Sequence, residues 1–107
     1  MNSKNHLGAY GELYVANYLL SNGLEVFRNV ASSGPVDIVA LNKDNGKTVL
    51  IDVKCVREPY TRKDGTLSLP KIPQWIDSIA IVVYVHGETS VRLPEGFWEA
   101  LDTNPYD

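Results

Sequence analysis

Two apolar segments, Val36 to Leu41 and Thr48 to Val56, flank the polar run Asn42-Lys43-Asp44-Asn45-Gly46-Lys47. Both are rich in Val and Ile, and Asn-Gly readily supplies the positive φ values of a type I′ turn, so the stretch predicts a β-hairpin. A two-residue Asn45-Gly46 turn makes Leu41 face Leu50, Val39 face Asp52 and Asp37 face Lys54. Opposed residues of an antiparallel pair project to one side of the sheet. Period-two alternation within each strand independently groups Asp37, Val39 and Leu41 on one side, and Leu50, Asp52 and Lys54 on one side. The opposite face carries Val36, Ile38, Ala40, Ile51, Val53 and Cys55, a credible core. A longer loop changes the pairing but keeps the alternation.

Burying two carboxylates is expensive unless a cation neutralises them. A divalent metal does so, and hard oxygen ligands are what Mg²⁺ requires. In this reading Asp37 and Asp52 bind the metal, the Val53 carbonyl adds a ligand, and Glu12 completes the site directly or through water. Lys54 holds the attacking water and stabilises charge on a phosphate, which makes Glu12, Asp37, Asp52 and Lys54 the catalytic set. The bland alternative is an Asp37–Lys54 cross-strand ion pair with Asp52 partly solvated.

Residues from about Leu7 to Asn22 predict a helix. Ala9, Leu13, Ala16 and Leu20 fall in a stripe about 60° wide, with Glu12 about 40° outside one edge, and Gly23 supplies the stop. Leu24 to Asn29 predicts a first strand, Ile79 to Val85 a central strand, Ser90 to Leu93 a short strand, and Phe97 to Leu101 a half-turn or short helix. Residues 57–74 form a long connection punctuated by Pro59, Gly65, Pro70 and Pro73, with a short extended piece at Thr66 to Leu69.

With 107 residues, one domain spanning 1–107 is expected. No apolar run reaches membrane-spanning length, and Met1 to Leu7 lacks the apolar segment of a secretory signal. The single Cys55 permits no internal disulfide, so a cytoplasmic or nucleoid-associated location is expected. The formal net charge is −3, but residues 1–71 carry +2 and residues 72–107 carry −5. Arg57, Arg62, Lys63 and Lys71 concentrate in the 57–74 connection, a candidate surface for nucleic-acid backbone, or else an ordinary solvated loop.

Taken in order, Gly8, Gly11-Glu12, Gly34-Pro35-Val36-Asp37 and Asp52-Val53-Lys54 resemble the PD-(D/E)XK nuclease superfamily. The resemblance is strongest to small archaeal-type Holliday junction resolvases and to the homing endonucleases that share their catalytic domain, and covers residues 7–94. It implies an α/β, restriction-endonuclease-like fold, a mixed β-sheet with the N-terminal helix packed across it, in a minimal version. It also implies a Mg²⁺-dependent DNA endonuclease, with Mn²⁺ as a substitute, acting on branched or duplex DNA as a homodimer or higher homo-oligomer. Pro35-Val36-Asp37 corresponds to the first acidic motif, Asp52 and Lys54 to the second acid and its lysine, and Glu12 to the acid on the first helix. The chain departs from the family where Pro59, Gly65, Pro70 and Pro73 leave no room for the usual helix after the lysine-bearing strand, and its surface is less basic. The alternatives are a nuclease-fold protein that binds DNA or serves structure without turnover, and a nuclease acting on RNA.

Tyr10, Tyr14 and Tyr18 run along one side of the first helix, either as a self-association surface or as boundary packing. Tyr60 and Trp75 stack on nucleotides or pack internally, Cys55 reads as a small core residue, and His6 lies near Glu12 or in solvent.

Overall fold

The fold was analysed as a computed structural model that describes residues 4–31, 33–57, 60–68 and 73–106. Helix α1 spans Lys4–Ser21. It ends in a Schellman motif: Gly23 takes φ 85°, its amide donates to the Leu20 carbonyl at 3.0 Å, and the Leu24 amide donates to that of Leu19 at 3.2 Å. Leu19 and Leu24 both lie in the core, so the apolar contact that accompanies this stop is present.

Strands β1 (Glu25–Arg28), β2 (Ile38–Leu41) and β3 (Thr48–Val56) form an antiparallel meander. The chain then runs through a two-stranded ribbon, β4 (Tyr60–Thr61) and β5 (Leu67–Ser68), and on to β6 (Trp75–Ile76). Strand β7 (Ile79–Val85) returns parallel to β3, and β8 (Ser90–Arg92) and helix α2 (Phe97–Ala100) follow. The result is an α/β fold with a mixed six-stranded sheet ordered β1-β2-β3-β7-β6. Strand β8 shares the outer edge of β7, pairing with Val83 to Val85 while β6 pairs with Ile79 and Ala80. The described part of the β3–β7 crossover holds the ribbon and no helix.

Helix α1 packs on one face of this sheet, where Val15, Ala16 and Leu19 meet Ile38, Ala40, Ile51, Ala80 and Val82, closed at one end by Phe97 and Leu101. Each fully buried aliphatic side chain here contributes about 1.5–3 kcal/mol. Ile38, Ala40 and Ile51 are therefore core, as their alternation predicts, with Val53 and Cys55 packed at the margin.

The helix stripe is different from the expected one. Leu7, Val15, Ala16 and Leu19 are buried, whereas Ala9, Leu13 and Leu20 are exposed. Apolar residues lie all round α1, so periodicity alone does not single out a face. Close approach does. A Cβ on Gly11 would overlap Cys55 Sγ and come 3.3 Å from the Tyr84 ring, so glycine lets the helix settle onto β3 and β7.

The hairpin register also differs. Ile38 pairs with Ile51 and Leu41 with Thr48, two residues away from the pairing expected of a tight Asn45-Gly46 turn. Asn42 and Lys47 instead close a four-residue loop, with Gly46 at φ 78°. The Asn42 and Asn45 side chains both donate to the Leu101 carbonyl, at 2.8 and 3.1 Å, which ties the wider loop to the chain after α2. Among the described residues no helix is long and apolar enough to cross a membrane.

Candidate functional site

A register shift of two residues preserves the facing of every side chain but changes its partner. Asp37 now stands beside Asp52 rather than Lys54. Just before β2 its amide donates to the Ile51 carbonyl at 2.8 Å, although Ile51 is the partner of Ile38, so the chain bends out of the ladder at this residue. Its carboxylate Oδ2 takes up the Val53 amide at 2.7 Å. The side chain is thereby anchored on the strand that carries Asp52 and Lys54.

Burial pushes the Asp37 carboxyl above the ordinary aspartate value of 3.8, and the neighbouring Asp52 carboxyl and the charge of Glu12 push the same way, against the Val53 amide. Lys54 Nζ lies 3.1 Å from Asp52 Oδ2, with the Asp52 side chain 18 % exposed and that of Lys54 63 % exposed. The expected Asp37–Lys54 cross-strand pair is thus replaced by a pair along β3, two residues apart on one face.

Glu12 projects from α1 one turn before Ala16 and is 3.7 Å from Arg28 on β1. Its charge registers at Asp37, but its carboxylate engages Arg28. Among the described residues no group of three His, Cys, Asp or Glu side chains is gathered closely enough to hold a metal ion. What the fold assembles is therefore a carboxylate pair, Asp37 and Asp52, with Lys54 against one member and Glu12 at a distance. Val53, named as a carbonyl ligand, contributes its amide to the Asp37 carboxylate.

Of the basic residues, Arg57 follows β3 directly and is exposed, while Arg62 and the exposed Lys63 sit on the ribbon turn. The Arg62 amide donates to the Thr66 carbonyl at 2.7 Å, and its guanidinium to Thr66 Oγ1 at 3.2 Å. Lys71 and the side chain of Tyr60 lie outside the described residues. His6 is exposed.

The aromatic residues are largely spent on packing. Tyr14 stacks 4.5 Å from Tyr84 and donates its hydroxyl to the Thr89 carbonyl at 3.2 Å, and Phe97 is in the core. Burial and the nearby tyrosines push the Tyr84 hydroxyl up to about 12, so it stays protonated. Burial likewise raises the Cys55 thiol, which suits a packing residue rather than a nucleophile. Trp75 donates its indole N–H to the Glu95 carbonyl at 2.9 Å.

One residue of the stretch Trp75 to Val83, which resembles the back half of PD-(D/E)XK nuclease domains, borders the site without having been assigned a role. Asp77 and Ser78, at φ 47° and 69°, form the two-residue turn between β6 and β7. A cavity of about 440 Å³ is lined by Asp77 together with Pro35, Asp52 and Lys54. Its sequence signal was the spacing: Asp-Ser lies between two apolar pairs, and Asp tolerates the left-handed φ of such a turn. Comparison with known proteins matches this chain to no protein-family profile, no curated protein and no solved structure.

Proposed function

We propose that this chain is a divalent-metal-dependent DNA endonuclease of the PD-(D/E)XK type, with a restriction-endonuclease-like fold, that hydrolyses phosphodiester bonds in branched DNA. The observation that carries this reading is the Asp37–Asp52 pair beside Lys54. Two carboxylates held together on adjacent strands, one with its proton affinity raised, make a site that favours a cation. Mg²⁺ is commonly bound by one or two carboxylates together with substrate phosphate, so the donors fit it, and Mn²⁺ accepts the same oxygens. Asp37 and Asp52 would hold it, with the Val53 carbonyl on β3 as a further oxygen and Glu12 on α1 acting from a longer distance through its charge.

When bound, Mg²⁺ neutralises charge that builds on the phosphoryl group. The chain's own residues do the rest. The Val53 amide fixes the Asp37 carboxylate, so the pair is oriented before substrate arrives. Lys54, largely exposed and paired with Asp52, has an ammonium that would hold the attacking water and meet charge on the phosphate. The exposed Arg57 and Lys63 and the neighbouring Arg62 supply backbone contacts beside the site. A homodimer provides two such sites for the two strands of a junction.

The test is a panel of labelled junction, flap, duplex and single-stranded DNAs, with an RNA counterpart, incubated with Mg²⁺ or Mn²⁺ and then with chelator. Metal-dependent cleavage of the junction, lost in Asp37→Ala and Asp52→Ala proteins that remain folded, is expected. DNA binding without cleavage under every metal condition would instead assign the chain to a nuclease-fold binding protein.

A further inference from the structure

The cavity next to Asp52 and Lys54 has a composition that phosphate contact alone does not explain. Its lining is mainly apolar: Ile81 is the register partner of Asp52, Ile79 that of Leu50, and Ile76 pairs across to Ile79. These side chains continue directly from the carboxylate pair along the sheet face opposite α1. Ile76 remains 48 % exposed. At one rim stands Asp77, held there by the left-handed turn, and at another stands the Lys54 ammonium. The volume, about 440 Å³, lies in the range of pockets that enclose a small planar ligand.

A second phosphate does not suit this space, because Asp77 and Asp52 would repel it and isoleucines offer it no donor. A purely aliphatic ligand makes no use of the carboxylate. A nucleobase uses all three features. Its face stacks on the isoleucines, its exocyclic amine donates to Asp77, and its own phosphate reaches back toward Lys54 and the carboxylate pair.

We infer that this cavity receives one base, unstacked from the strand next to the phosphate at the carboxylate pair, and that Asp77 selects bases bearing an exocyclic amine. The inference rests on the nuclease reading and deepens it. A paired, stacked base cannot enter, so unpaired or branch-point nucleotides are the substrate class. Thymine presents a carbonyl where cytosine presents an amine and offers the acceptor-only carboxylate its N3–H alone, so it is the weaker ligand.

The experiment compares duplexes that are identical except for one position, which is fully paired or carries an unpaired cytosine, an unpaired thymine or an unpaired abasic residue. Affinity is read by fluorescence anisotropy with Ca²⁺ in place of Mg²⁺, on the wild-type protein and on Asp77→Gly. Glycine accepts the positive φ of residue 77, so the turn is kept while the carboxylate is removed. Unpaired cytosine should bind about ten-fold tighter than the abasic site. It should also bind about five-fold tighter than unpaired thymine, a difference that Asp77→Gly abolishes. Equal affinity for cytosine and abasic duplexes, with DNA still bound and cut, overturns the base pocket and leaves the nuclease reading standing. Cytosine and thymine bound alike by the wild type overturns the role of Asp77. Failure to bind any of the four duplexes overturns the pocket, and if the junction of the cleavage panel is not bound either, the nuclease reading falls with it.

Discussion

Lys54 Nζ lies 3.1 Å from Asp52 Oδ2, on the same strand and the same face, while Asp37 is secured by the Val53 amide. The lysine therefore pairs with Asp52 and not with Asp37, the acid whose carboxyl burial raises. Its own side chain is 63 % exposed, and an ion pair of that kind contributes about 0–1 kcal/mol.

Removal of Lys54 should consequently separate chemistry from stability. In Lys54→Met, denaturant melts should shift by less than about 1 kcal/mol. Single-turnover cleavage should fall by about 10²-fold or more, with much of the substrate affinity retained. A large loss of stability combined with near-normal cleavage by the folded fraction would return Lys54 to a structural role.

Asp37 should show the opposite pattern. Its carboxyl is raised above 3.8, first by burial and then by Asp52 and Glu12, so the folded protein holds that proton more tightly than the unfolded chain. The stability this contributes is complete below 3.8 and is lost as pH rises through the higher folded value. At neutral pH an ionised Asp37 is thus a cost. Asp37→Asn keeps an acceptor for the Val53 amide and removes the charge, and should be more stable than the wild type at pH 7 while abolishing cleavage. The advantage over wild type should shrink as the melts are repeated toward acid. Saturating Mn²⁺ should raise the wild-type melting temperature at pH 7 and have no such effect on Asp37→Asn.

How much of this was readable before any coordinates depends on where each interaction is made. Strand β7 reads directly, because Ile79 to Val85 is apolar without interruption, and the stop at Gly23 reads directly because it is local. The common face of Asp37 and Asp52 survives a wrong turn assignment, since alternation fixes facing whenever the slip is two residues. The partner of each acid does not survive. It depends on Asn42 and Asn45 reaching the Leu101 carbonyl, 59 and 56 residues away, and no local pattern encodes that contact. The buried seam of α1 was obscured for a related reason: Gly11, its closest-packed residue, carries no hydrophobic signal. The periodicity of α1 places Glu12 beside its core stripe, but its neighbour Arg28 belongs to a strand whose placement only the sheet order reveals.

The two helix glycines give a matched pair of predictions. Gly11 has the Cys55 side chain and the Tyr84 ring within contact of any added Cβ, with Cys55 Cβ at 3.0 Å, whereas nothing lies within 4 Å of Gly8. Gly11→Ala should destabilise by about 1–3 kcal/mol, as overpacking of a tight interface does. Gly8→Ala should stabilise by up to about 1 kcal/mol through helix propensity alone. Thermal melts of the two variants moving in the same direction would contradict the packing of α1 on β3.

The last prediction concerns the placement of DNA. Arg57 leaves β3 three residues after Lys54, and Arg62 and Lys63 extend the same connection on the ribbon turn, which makes them the candidates for contacting phosphates that flank the scissile bond. The Arg62–Thr66 contacts shape that turn. Residues 72–107 carry a net −5 and make a poor alternative surface. Replacing Arg57, Arg62 and Lys63 together by Gln should weaken binding to every DNA sequence alike. It should also flatten the dependence of log affinity on log salt by about 3 units, since each of the three lost phosphate contacts removes about 0.9. Unchanged affinity and slope in the triple variant would place the DNA on another surface. A loss confined to particular sequences would mean that these residues read bases rather than backbone.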